Sequence, residues 1–233
     1  MVGVIIAAGK GGRLSKISGE LPKTLLNING KPIIQWIIDK AKKGGIKNFI
    51  IVTGYNSDMI NKYFTSNPDR YIKLVYNPLW KKSNGISVLT VEKMIKKNEH
   101  FILMMSDHLF GENIIKDVIK QKKRCPFLVV EKNINKVFDL KDATKVYIKN
   151  DTIVSIGKKL RKFNGVDTGI FCLDFRIFNA IKKSISQGND SLTSGIKEFI
   201  KEHKLSFYSI PENVRWIDID TERAYRKAKK MWR

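Results

Sequence analysis

The chain has 233 residues, with 44 Lys and Arg against 22 Asp and Glu, a net charge of +22, and 42% hydrophobic residues. That length and apolar content can bury a sizeable core and exclude disorder, and 16 Gly with 6 Pro exclude a fibrous or low-complexity chain. Two isolated cysteines, Cys125 and Cys172, exclude a disulfide scaffold and a cysteine-based zinc site.

Val2–Ala7 is a short β-branched run ending in glycines, which predicts a buried strand. Pro32 opens a helix with Ile33, Ile34, Ile37, Ile38 and Ala41 on one face, closed by Gly44-Gly45. Phe49–Thr53 reads as a second strand, Ser57–Phe64 as a helix capped by Ser57, and Ile72–Tyr76 as a third strand. Ile86–Lys96 reads as a helix and Phe101–Met105 as a central strand ending at Ser106-Asp107. This β-α-β-α-β-α-β order predicts a doubly wound, mostly parallel, Rossmann-like α/β sheet with right-handed crossovers. Asp107 then falls at the carboxyl end of a strand, where open α/β sheets bind their ligands.

After Phe127 the rhythm turns to strands: Phe127–Val130, Thr144–Ile148, Ile153–Leu160 and Gly169–Leu173, with a hairpin turn at Lys149-Asn150-Asp151-Thr152. Helices follow over Phe175–Ser186 and Leu192–His203, then a strand over Leu205–Ile210, the segment Trp216–Asp220 and a closing helix. No linker or repeat interrupts the chain. One domain over 1–233 is expected, with 1–125 as a nucleotide-binding half and 126–233 as a small mixed β elaboration on the same sheet.

The positive charge attracts polyanions in general. Its lysines are spread along the chain, the pattern of a solvated surface, and no run of clustered Arg with interleaved aromatics marks a nucleic-acid groove. Arg223–Arg233 is the densest cluster and reads as a basic amphipathic terminal helix, which would allow weak contact with an anionic membrane face. The start is too short an apolar run for a signal peptide and no stretch reaches the roughly 18 apolar residues of a membrane span, so a cytoplasmic protein is expected, with peripheral contact at the inner membrane face as an extension.

The loop Ala7-Ala8-Gly9-Lys10-Gly11-Gly12-Arg13-Leu14 follows the first strand. Glycines there let backbone N–H groups approach phosphates, and Lys10 and Arg13 add charge. A dinucleotide fingerprint needs a glycine where Leu14 stands, and a Walker A loop needs Gly-Lys-Ser/Thr after four residues; neither fits. Taken alone, the loop also reads as a tight strand-to-loop turn.

The loop continues into Pro22-Lys23-Thr24-Leu25-Leu26 and Asn29-Gly30-Lys31-Pro32-Ile33-Ile34. The whole array resembles the signature of the nucleotidyltransferases that make nucleoside diphosphate sugars and related activated alcohols. The resemblance implies that Ala7, Ala8, Gly9, Lys10, Gly11 and Gly12 wrap the triphosphate of the nucleotide while Arg13 and Lys23 neutralise it. Ser106-Asp107-His108 resembles the family's strand-end Asp that holds Mg²⁺, and Trp216-Ile217-Asp218-Ile219-Asp220-Thr221 its late acidic segment. Asp107 with Asp218 or Asp220 then forms a hard oxygen site suited to Mg²⁺, with Asp218 favoured. Asp220 also reads as ordinary helix capping, and His108 as structural.

Asn77-Pro78-Leu79-Trp80 and Ser83-Asn84-Gly85-Ile86-Ser87 resemble the base loop of the cytidylyl branch, which makes Asn84, Gly85 and Ser87 base-contact candidates. Asp142-Ala143-Thr144-Lys145-Val146 resembles a segment of the inositol-1-phosphate cytidylyltransferases, with Lys145 facing the acceptor phosphate. Asp142, the start of Asn164-Gly165-Val166-Asp167-Thr168-Gly169 with Asp167, Thr168 and Gly169, and Glu131 are acceptor-binding candidates. The implied reaction joins CTP to a phosphorylated small alcohol, with Arg13, Lys23 and Lys145 as the catalytic cations, in phospholipid biosynthesis. Such enzymes are often fused to a membrane CDP-alcohol transferase, the expected partner. Two alternatives stay open: a sugar-1-phosphate or phosphocholine acceptor with CTP, UTP or GTP, and a basic α/β module that binds nucleic acid.

Overall fold

The computed structural model describes residues 1–232, with the backbone alone for residue 112. Strands β1 (Val2–Ala7), β2 (Asn48–Thr53), β3 (Ile72–Tyr76) and β4 (Phe101–Met105) pair in parallel in the order β3-β2-β1-β4. β5 (Phe127–Glu131), β6 (Lys145–Lys149), β7 (Thr152–Gly157), β8 (Gly165–Leu173) and β9 (Ser206–Ser209) extend it to nine strands, β3-β2-β1-β4-β8-β5-β9-β7-β6. β8 runs antiparallel to both β4 and β5, so the sheet is parallel in the first half and mixed in the second. Both halves of the chain thus share one sheet.

The alternation of side chains along a strand divides the core in two. Ile5, Ile51, Ile102 and Met104 pack on one face of the sheet with the helix Ile33–Gly44; Val4, Ile6, Val52 and Leu103 pack on the other with the helices Arg176–Ser186 and Leu192–Glu202. The helix Ile33–Gly44 forms where its apolar spacing says, with Ile33, Ile34, Ile37, Ile38 and Ala41 at 1% exposure or less. It also meets the helix Glu112–Lys120, absent from the expected order, which sets Ile115 where a Cβ on Gly44 would come within 2.5 Å.

Other boundaries differ for local reasons. Asn56, not Ser57, occupies the cap position of Ser57–Ser66, in the left-handed region at φ 43°. The expected helix Ile86–Lys96 is Asn84–Leu89 followed by a single 3-10 turn; the Thr90 hydroxyl donates to the Ile86 carbonyl at 3.1 Å, a back-bond that competes with the helical ladder. β8 begins four residues before Gly169 because that glycine, at φ 76°, sits in a register shift within the strand rather than at its start. β7 stops at Gly157, short of Leu160.

Two short strands complete the frame. His108–Phe110 pairs antiparallel with Trp216–Asp218, and the register sets Asp218 directly opposite His108. The pair lies beyond the carboxyl end of β4. The terminal helix runs Glu222–Met231, and Arg233 of the basic cluster lies outside the described residues. Among the described residues no helix is long and apolar enough to cross a membrane.

Candidate active site

β1 delivers the glycine loop. Ala7 and Ala8 are buried, and the Ala8 carbonyl accepts the Tyr55 N–H at 2.9 Å, which fixes the loop's root. Gly11 has φ 66°, and a Cβ there would lie 2.6 Å from the Cβ of Lys23, so the loop needs glycine both for its turn and for the passage of Lys23. Gly9 and Gly12 have open space around them. Lys10 is exposed, its ammonium 5.5 Å from the Tyr55 ring centre. Arg13 lies in the 3-10 turn Gly12–Leu14 that follows.

Lys23 comes up beneath this loop from a second 3-10 turn, Lys23–Leu25. Its Nζ donates to Asp107 Oδ2 and to Asp220 Oδ1, each at 2.5 Å. Burial disfavours the Lys23 charge, but Asp107 and Asp220 overcome that and hold its pKa above the usual lysine range. Likewise burial would raise the Asp107 carboxyl, yet Lys23 and His108 bring it down to about 2. Arg13, half exposed, pairs with Asp142 and with the second oxygen of Asp220. Asp220 therefore bridges Arg13 and Lys23. Thr221, not Asp220, caps the last helix by accepting the Ala224 N–H at 3.2 Å.

His108 stands between two carboxylates, with Nε2 at 3.6 Å from Asp107 Oδ1 and 3.6 Å from Asp218 Oδ1. Its Nδ1 faces the Thr168 carbonyl at 2.7 Å, and the Trp216 indole donates to the same carbonyl at 2.8 Å. Gly169 makes room for the ring: a Cβ there would reach within 2.6 Å of His108 Nδ1. Burial, reinforced by Asp107 and Asp220, pushes Asp218 up to about 7. Its Oδ1 is buried with no hydrogen-bond partner among the described residues. Asp107, His108 and Asp218 each offer one ligand atom, all within 4.8 Å of one another.

A cavity of about 170 Å³ opens beside these groups, walled by residues of both halves. Asn84, Asp107, His108, Asp142, Lys158, Asp167, Gly169, Asp218 and Asp220 line it. Burial raises Asp167 to about 6, against the N–H of Gly169 that it accepts at 2.7 Å. Asn84 keeps its Oδ1 on the Leu192 N–H at 2.9 Å. A larger surface groove of about 850 Å³ runs along the basic terminal helix, where Arg223 and Lys227 stack on Phe138, and includes none of these site residues.

Several sequence candidates stand away from the cavity wall. Lys145 is buried, and its Nζ donates to the carbonyls of Lys141, Ala143 and Lys158 at 3.2, 3.1 and 3.0 Å. It ties down the loop that carries Asp142. Ser87 is buried against the Asn77 amide at 3.0 Å, and a Cβ on Gly85 would strike the Asp190 carbonyl at 2.5 Å. Thr168 is buried with its hydroxyl donating to the Val129 carbonyl at 2.8 Å, and buried Glu131 accepts the Asn133 N–H at 2.7 Å. Lys158, not singled out from the sequence, is half exposed on the cavity wall with its ammonium 3.1 Å from Asp142 Oδ1. Its only sequence signal is position, just past the end of β7 in a chain full of lysines.

The chain is similar to known proteins over nearly its whole length. The family described as Nucleotidyl transferase matches residues 2–232. A bifunctional IPC transferase and DIPP synthase of Aquifex aeolicus is 30% identical over 227 residues, covering 97% of this chain and 50% of that protein. A relative of the same name from Thermococcus kodakarensis is 31% identical over 98% of this chain and 50% of its own length. The chain thus spans about half the length of these curated relatives. Among solved structures, the inositol-1-phosphate CTP transferase from T. maritima superposes with a TM-score of 0.85, covering 99% of this chain and 95% of that one at 24% identity, a likeness of fold.

Proposed function

The chain belongs to the nucleotidyl transferase family, and from that premise we propose that it transfers a cytidylyl group from CTP to inositol-1-phosphate, giving CDP-inositol and pyrophosphate. The observation that carries this reading is the contact of Lys23 with Asp107 and Asp220 under the glycine loop, which gathers a phosphate-binding backbone, its cations and metal-grade carboxylates at one strand end. The names of the two curated relatives support the choice of acceptor and nucleotide.

In this reading an oxygen of the acceptor phosphate attacks the α-phosphorus of CTP as the bond to the pyrophosphate oxygen breaks. The acceptor is already ionised, so no general base is needed. Two polyanions must meet, and neutralising them is the main task of the protein. Phosphates of CTP compete with Asp107 and Asp220 for Lys23, and with Asp142 and Asp220 for Arg13. Lys158, held by Asp142 at the cavity wall, is the cation placed to meet the acceptor phosphate. Lys145 serves by shaping the Lys141–Lys145 loop. Asp167 lines the cavity where the alcohol would sit.

The donor set suits a hard divalent cation such as the Mg²⁺ that this family generally uses. Asp107 and Asp218 would hold it, because both oxygens of Asp220 are engaged while Asp218 Oδ1 has no hydrogen-bond partner among the described residues. Bound there, the ion supplies positive charge against the triphosphate. The nucleotide half 1–125 and the acceptor half 126–233 work as one domain in this account. The basic helix Glu222–Met231 would face an anionic cytoplasmic membrane surface, where a membrane CDP-alcohol transferase would consume the product in phospholipid biosynthesis, and the reading invokes no nucleic-acid partner.

A pyrophosphate-release screen of CTP, UTP, GTP and ATP against inositol-1-phosphate, glucose-1-phosphate and phosphocholine tests the proposal. CTP with inositol-1-phosphate should exceed every other pair by at least about tenfold in kcat/KM. A higher rate with UTP and a sugar phosphate would transfer the site to a nucleoside-diphosphate-sugar enzyme.

A further inference from the structure

His108 is more elaborately held than a structural histidine requires. A carbonyl oxygen only accepts, so the 2.7 Å contact with Thr168 puts the hydrogen on Nδ1 and leaves the lone pair of the neutral ring on Nε2. That lone pair points between Asp107 Oδ1 and Asp218 Oδ1, each 3.6 Å away. The spacing is too long for N–H···O bonds, which run about 2.7–3.2 Å. It leaves room for a cation between them, since two ligand atoms each about 2.1 Å from one ion lie about 3–4 Å apart, depending on the angle between the bonds.

Three independent features fix this geometry. The antiparallel pairing of His108–Phe110 with Trp216–Asp218 puts the imidazole and the Asp218 carboxylate side by side. Gly169, at φ 76°, lets the ring approach the backbone to a distance that no Cβ would allow. Trp216 packs against the imidazole with ring centres 5.6 Å apart and shares its anchoring carbonyl. A backbone carbonyl on the far ring nitrogen is the usual means by which proteins orient a metal-bound histidine. Asp218 Oδ1, buried and without a hydrogen-bond partner among the described residues, is an anionic oxygen left for a cation.

We infer that His108 is the third ligand, with Asp107 and Asp218, of a nitrogen-and-oxygen divalent site that takes Mn²⁺ in preference to Mg²⁺. Mg²⁺ favours oxygen ligands throughout and gives up its waters reluctantly, whereas imidazole binds transition ions well. Lys23 holds the other oxygen of Asp107, which leaves Oδ1 to face the histidine. The preference therefore resides in His108, and the two carboxylates alone would treat the ions more evenly.

The biological use of this site rests on the nucleotidyl-transfer reading, but metal binding is measured without nucleotide or acceptor, so either can fail alone. Calorimetric titration of the full chain with Mn²⁺ and with Mg²⁺ alone should give a Kd at least about tenfold lower for Mn²⁺. His108→Ala should weaken Mn²⁺ by about 10- to 100-fold and Mg²⁺ by less than about threefold. Asp218→Asn should weaken both. Because a variant can fail to fold, the wild-type chain also carries a test: with Mn²⁺ bound, electron spin-echo modulation should show coupling to a directly bonded ¹⁴N. An equal Kd for the two ions, an unchanged Mn²⁺ to Mg²⁺ ratio in folded His108→Ala, or no ¹⁴N coupling at saturating Mn²⁺ would overturn the assignment and leave His108 a charged bridge between carboxylates.

Discussion

Lys23 Nζ lies 2.5 Å from Asp220 Oδ1, joining residues 197 apart in the chain at the mouth of one cleft. The ammonium also holds Asp107, so the carboxylate that ends β4 stays ionised with a pKa of about 2. An anion kept ready at a strand end is what a metal–triphosphate complex needs. Asp107→Asn should lower kcat by about 100-fold or more, the scale of losing a major electrostatic contact. Asn keeps an oxygen that can accept from Lys23 but loses the charge, so Tm should fall by several degrees while the fold is retained. Activity within about threefold of wild type would remove Asp107 from the site.

The glycine loop makes its own prediction. Gly11→Ala places a Cβ in the left-handed region, at a cost of about 1–2 kcal/mol, and drives it against Lys23. The KM for CTP should rise by about tenfold or more, with far-UV circular dichroism unchanged. Gly12→Ala, in open space, should leave the KM within about threefold. Equal effects of the two would dissociate Gly11 from the placement of Lys23.

Lys158 and Lys145 should separate cleanly. Lys158→Ala removes an ammonium from the cavity wall, and kcat/KM for inositol-1-phosphate should fall by about 10²-fold while CTP binding holds. Lys145→Ala leaves three backbone carbonyls without their donor and should lower Tm first, by several degrees. If Lys145→Ala keeps wild-type Tm yet loses acceptor kinetics selectively, the acceptor role returns to Lys145.

The partly buried acids Asp167 and Asp218 predict a pH trend. Burial raises Asp167 to about 6 and Asp218 to about 7, above the roughly 3.9 of an unfolded Asp. Burial alone would lower His108, but Asp218 and Asp107 raise it, which acts in the same direction. Between about pH 4 and 7 the folded chain then holds more protons than the unfolded one, so stability falls as pH rises across that window. The depressed Asp107 works oppositely, contributing stability that is lost only as pH falls from about 4 toward 2. In buffer with chelator, Tm should be several degrees higher at pH 5 than at pH 8, and Asp218→Asn should flatten the slope. An unchanged slope in Asp218→Asn would contradict the burial of that carboxyl as its cause.

Much of the frame is legible in residue order. β1, β3 and β4 begin and end where β-branched and aromatic runs meet glycine or polar residues, and Asp107 follows the end of β4 because strand ends are marked that way. The helix Glu112–Lys120 carries Ile114, Ile115, Val118 and Ile119 at helical spacing, a local signal that the expected element order passes over, while the packing of Ile115 on Gly44 is a tertiary fact. The site divides in the same way. Arg13 and Lys23 stand in a compact local motif, whereas the choice between Asp218 and Asp220 depends on where each oxygen points. Asp142 and Lys158 meet only through the pairing of β6 with β7, so their contact has no signature along the chain. His108 looks ordinary until Thr168, from the neighbouring strand β8, fixes its tautomer.

Incubating the full chain with CTP, inositol-1-phosphate and a divalent cation, followed by ³¹P NMR, reads the new bond directly. Two coupled resonances of a pyrophosphate diester should appear, with the mass of CDP-inositol and one pyrophosphate released per product. Recovery of unreacted inositol-1-phosphate, with turnover only when UTP and a sugar phosphate replace the pair, would contradict cytidylyl transfer to inositol-1-phosphate.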